Sequence, residues 1–176
     1  MAELFELEAK VDDTPTDKVG KFLLAWSKLS VLGGVIVLVA ICLLSTVSII
    51  GRAVFGVPIK GDVELVQFGC SWAIAAFLPY AQMKNAHVIV DFFTLKAPAG
   101  VRRALDIFAA LLMAVLAFLL MWRSYFGAVG TYQSNVRSMV LGVPEWWGHI
   151  TIAPGFFLLG LTALYTAWGF TRSYGK

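Results

Sequence analysis

Residues 29–51 form a run of 23 without a single charged side chain, and no other feature of the sequence restricts the fold so strongly. A helix rises about 1.5 Å per residue, so about 20 apolar residues cross a hydrocarbon core of roughly 30 Å. The run predicts a transmembrane helix. Three further apolar stretches follow at 63–83, 104–125 and 150–170. Charged residues make up only 14% of the chain, against about 25% in soluble domains, and they gather around these stretches. No apolar–polar alternation recurs at strand length, which argues against a β-barrel. The expected fold is therefore all-α: four transmembrane helices, preceded by an amphipathic N-terminal helix.

The start of the chain does not read as a cleavable signal, because Glu3, Glu6 and Glu8 stand where a basic region is required. Residues 1–13 are acidic and short. Thr14-Pro15-Thr16-Asp17 then makes a helix start, with Thr14 as cap, Pro15 in the first turn and Asp17 three residues after the cap. Val19, Phe22, Leu23, Trp26 and Leu29 recur at helical spacing among Lys18, Lys21 and Lys28. Two readings are open for this stretch: an interfacial helix, or an extension of the first span. The expected organisation is a cytoplasmic segment 1–28, a membrane domain 29–171 and a cytoplasmic tail 172–176.

Orientation follows from the basic residues. With the N-terminus inside, Lys10, Lys18, Lys21, Lys28, Lys84, Lys96, Arg102, Arg103, Arg172 and Lys176 are cytoplasmic, and Arg52, Lys60, Arg123 and Arg137 lie outside. Ten against four satisfies the positive-inside rule with both termini in the cytoplasm. The net charge of +3 is thus a topology signal, and no nucleic-acid partner is expected. Five of the six tryptophans, all but Trp72, fall near span ends, where they contact phospholipid headgroups as an aromatic belt.

Chemistry has few places to reside. Cys42 and Cys70 stand in apolar runs without a CxxC pair, so neither a metal site nor a cofactor is expected. The mid-span polar residues, Ser45, Thr46, Ser48, Gln67, Ser71, Thr162 and Thr166, are of a kind that bonds a helix backbone more often than a solute. A transporter acting alone needs ionisable groups at mid-membrane, and the spans hold none there. No nucleophile pairs with a base, so the chain is not expected to be an enzyme. A redox anchor holding haem is the competing class, but His87 and His149 fall at opposite membrane faces, about 30 Å apart. His87 and Asp91 are four residues apart and share a helix face, which suits a structural pair anchoring the loop beside Arg102 and Arg103. Small residues four apart, Gly69 and Ala73, Ala110 and Ala114, Ala163 and Ala167, suit close helix packing.

The order of these features carries a resemblance. Arg52, Phe55, Gly56 and Pro58 follow span one, and Glu64-Leu65 opens span two. His87-Val-Ile-Val-Asp91, then Pro98 and Arg102-Arg103, precede span three. Leu141-Gly142-Val143-Pro144-Glu145-Trp146 precedes span four, with Pro154-Gly155 just inside it. Over residues 31–169 the chain resembles the small, DctQ-like membrane subunit of tripartite ATP-independent periplasmic (TRAP) transporters. It departs from the family at Gly61-Asp62, where an aromatic residue often precedes the glutamate. The resemblance implies a scaffold subunit in the bacterial inner membrane. Its implied partners are a larger, sodium-coupled elevator subunit carrying organic acids and a periplasmic solute-binding protein. It places Arg52, Glu64, His87, Asp91, Pro144 and Trp146 in assembly roles. Lys60 and Arg137, further into the outer loops, are candidate contacts for the binding protein, whereas Arg52 and Arg123 also suit snorkelling to headgroups.

Overall fold

In the computed structural model, residues 17–56, 59–84 and 99–173 are described. They form four α-helices: α1 (Lys18–Phe55), α2 (Asp62–Met83), α3 (Ala99–Gln133) and α4 (Trp146–Ser173). All four are long and apolar enough to cross a membrane. The Thr14-Pro15 helix start and the pair His87 and Asp91 lie outside the described residues, as do the side chains of Arg102 and Arg103.

Of the two readings for the stretch before residue 29, the structure has the continuous one. α1 runs unbroken for 38 residues, about 57 Å at 1.5 Å per residue, well beyond the roughly 30 Å of a hydrocarbon core. Nothing between Lys18 and Leu29 breaks it. The third span is also longer than the expected 104–125, and the loop after it covers 134–145. Gly127 and Gly130 both lie inside α3, where the Thr131 hydroxyl donates to the Gly127 carbonyl at 2.9 Å. The helix stops at Asn135, which takes the left-handed conformation at φ 49°.

The helices stand in a row rather than a closed bundle. α1 packs along α2, α2 along α4, and α4 along α3, while α1 meets α4 to a small extent. α1 and α2 run antiparallel, Gly34 against Phe77 and Gly69 against Ile41. At the end carrying the termini, Leu23, Leu24 and Met83 form a cluster with Tyr80, Leu158, Leu161 and Tyr165. The other end, here the clamp end, carries the loops 56–61 and 134–145. The α3–α4 seam is made of small residues: Ala110, Ala114, Ala117, Ala163 and Ala167 are all buried. Ala73 on α2 is buried too, so the small-residue spacing in the sequence marks real helix contacts.

Between α2 and α4 the close approach has a specific cause. Pro79 inside α2 has no N–H, so it cannot bond the Ala75 carbonyl one turn back. Gly155 of α4 lies against that freed oxygen: a Cβ at position 155 would be 2.6 Å from it. Glycine alone leaves room for the two backbones, and its Cα–H faces a carbonyl lacking its usual donor. Seven residues earlier on the same face of α4, Gly148 receives the ring of Phe68.

Candidate functional site

Polar chemistry in the described residues concentrates at the clamp end. α1 closes on Gly56, whose φ of 67° suits a residue without Cβ and whose N–H donates to the Arg52 carbonyl. Gly61, at φ 79°, then turns the chain into α2, and the Leu141 side chain lies where its Cβ would be. This double demand, a left-handed backbone and no side chain, accounts for glycine at position 61. Asp62 and Glu64 occupy the first turn of α2, where acids favour the positive end of the helix dipole.

The two acids do different work. Asp62 accepts a short hydrogen bond from the Ser48 hydroxyl and lies 4.0 Å from the Arg52 guanidinium, tying α1 to the start of α2. The Ser48 oxygen also accepts the Ile59 N–H at 3.4 Å. Glu64 reaches across to the 134–145 loop: one carboxylate oxygen accepts the Val140 N–H, the other the Leu141 N–H, both at 3.0 Å. The loop is itself braced. The Ser138 N–H donates to the Val143 carbonyl at 2.8 Å, and the Ser138 hydroxyl accepts the Val143 N–H at 3.2 Å. Arg137 and Pro144 pair as an isolated antiparallel bridge.

The residues singled out from sequence thus separate. At the clamp end Arg52 pairs with Asp62, while Glu64 holds the loop in which Arg137 and Pro144 form their bridge. Trp146 starts α4 there, its ring edge-on to Tyr132 with centroids 5.9 Å apart. Lys60 is exposed in the shorter loop. Sequence reading missed Ser48 as a partner of Asp62. It also missed Val140 and Leu141, because their bonds to Glu64 span some 76 residues of chain. At the clamp end Met139 is fully exposed at the tip of the longer loop.

Further in, hydroxyls turn back on their own helices. Thr46 donates to the Cys42 carbonyl, Ser71 to Gln67, Thr162 to Leu159 and Thr166 to Thr162, at 2.8–2.9 Å. No group of three or more His, Cys, Asp or Glu that could hold a metal occurs among the described residues. An apolar cleft of about 390 Å³ lies between α1, α2 and α4 toward the clamp end, walled by Ile41, Leu44, Phe68, Trp72 and Trp147.

No curated relative matches the chain. Residues 41–173 match the family model described as tripartite ATP-independent periplasmic transporters, DctQ component. With four spans and a clasped pair of loops at one end, the chain belongs to the DctQ family, the small multi-pass inner-membrane component of TRAP transporters, which works with a large membrane subunit and a periplasmic binding protein.

Proposed function

We propose that this chain is a non-catalytic scaffold within a sodium-coupled importer of organic acids, dicarboxylate-like or sialic-acid-like. It holds the large subunit in place and presents the clamp end to the periplasmic binding protein. Both termini then face the cytoplasm, in keeping with the ten-to-four distribution of basic residues. The observation that carries this reading is where the polar groups are engaged. Thr46, Ser71, Thr162 and Thr166 bond their own helix backbones, and no Asp, Glu, Lys or Arg falls within 29–51, 65–83, 107–122 or 146–171. A solute or ion site at mid-membrane needs polar groups turned toward a shared space.

The clamp end suits docking for a second reason. Arg52, Lys60 and Arg137 lie on or beside loops that Asp62 and Glu64 hold in one arrangement, so a basic surface is presented with little ordering left to do on binding. His87 and Asp91, which lie outside the described residues, complete the proposal as an assembly pair.

Reconstitution tests the reading. Liposomes holding this chain alone should take up no organic acid under a sodium gradient, and adding the large subunit with its binding protein should restore uptake. Sodium-dependent uptake by this chain alone would end the scaffold assignment.

A further inference from the structure

A second polar recess lies apart from the clamp. Between α3 and α4 a cavity of about 400 Å³ is lined by Leu120, Arg123, Ser124, Phe126, Gly127 and His149. Gly127 is what admits the imidazole: a Cβ there would be 3.3 Å from His149 Nδ1. Arg123 is exposed and has no carboxylate partner among the described residues.

The depth of this recess decides its ligand. Asp106 and Arg123 are 17 residues apart on α3, about 25 Å along the axis, with no charge between them. The two therefore bracket the hydrocarbon core, and Arg123 stands at its boundary on the clamp side. Trp122 and Tyr125 flank it, both exposed, as an aromatic belt requires. Leu120, also lining the recess, lies about one turn deeper, level with where the first methylenes of an acyl chain would run.

The geometry points to a binding site for the phosphodiester of an anionic phospholipid, built by Arg123, Ser124 and His149. A guanidinium offers a planar fork to two phosphate oxygens, and the hydroxyl and ring nitrogen supply further polar contacts. No carboxylate lines the recess, so a headgroup amine finds no partner there; phosphatidylglycerol fits better than phosphatidylethanolamine. The site requires only that α3 cross the membrane, and it stands apart from the scaffold role and its orientation.

Native mass spectrometry of the delipidated full chain tests it. Phosphatidylglycerol, phosphatidylethanolamine and diacylglycerol with the same acyl chains are added in equal amounts. Phosphatidylglycerol should be retained preferentially. Replacing Arg123→Gln and His149→Gln together should weaken that retention roughly tenfold, as expected for losing charge-assisted hydrogen bonds. Arg123→Gln alone, at an exposed side chain, should show a partial loss and serves if the double variant does not fold. Lys84→Gln, at an exposed cation ending α2 at the opposite end, should retain lipid like the parent. Parent-like retention by the Arg123 variants overturns the site, as does equal retention of diacylglycerol. An equal loss in Lys84→Gln would reduce the effect to general surface charge. Displacement by millimolar inorganic phosphate would make the recess a free-anion site instead.

Discussion

Substituting Gly155→Ala tests the α2–α4 contact at its tightest point. The added methyl would lie 2.6 Å from the Ala75 oxygen and 2.9 Å from its carbonyl carbon. Ordinary contact begins near 3.4 Å, so the helices must separate by about 0.8 Å. Neither atom belongs to a flexible side chain, and Pro79 one turn on fixes the local backbone. Overpacking of this kind costs about 1–3 kcal/mol, and the better helix propensity of alanine returns up to about 1 kcal/mol. A net loss of about 1–2 kcal/mol should lower the melting temperature by roughly 2–8 °C for a chain this size. Gly169→Ala on the same helix is the control, because no atom lies within 4 Å of its added Cβ. It should melt at or slightly above the parent. The assay is the fraction remaining monodisperse on size exclusion after heating in detergent. If Gly155→Ala melts as high as Gly169→Ala, the close approach at the Ala75 carbonyl is not there.

Four further outcomes are expected from the structure and the sequence. Glu64→Ala removes the acceptor for Val140 and Leu141, so trypsin should cut after Arg137 several-fold faster while helix content is unchanged; an unchanged rate would show that the loop holds itself. Lys60→Glu with Arg137→Glu should slow uptake by the assembled transporter when binding protein is scarce, with the defect shrinking as it is added in excess. Uptake equal to the parent at every concentration would remove these charges from docking. Asp91→Ala should lower the yield of assembled complex and leave the solute affinity of what does assemble unchanged; the opposite pattern would move Asp91 to the solute pathway. A reporter that is active only in the periplasm, fused after Lys176, should stay silent, and activity there would reverse the orientation.

The four spans were legible because each needs only an apolar run of sufficient length, and 29–51 provides the clearest. Their ends were not. The third span, expected over 104–125, runs on to Gln133, and within it Gly127 makes room for the His149 ring. The neighbours of each helix were hidden for a different reason. In a soluble bundle the buried stripe stands out against a charged face, but here exposed positions such as Val35, Leu43, Leu112 and Leu119 are as apolar as buried ones. Small residues were the surviving signal, and Ala110, Ala114 and Ala163 did mark a seam. The clamp was half visible. Glu64 at a helix start is a sequence feature, but its bonds to Val140 and Leu141 arise only once α2 and α4 lie side by side.

The row of four helices has a consequence for how such a protein is kept in balance with its partners. A closed bundle hides one side of every helix, whereas a row one helix thick leaves two broad faces outward, and only 17–28% of each span's most apolar window is buried within the chain. Lipid covers those faces nearly as well as a partner would, so solvation gives a lone copy no strong drive to assemble. Its residence in a complex must come from shape, and its lifetime outside one from how readily the thin sheet opens. Copies made in excess of the large subunit should therefore be the first to be unravelled and degraded, so that turnover, rather than synthesis, sets the ratio of subunits.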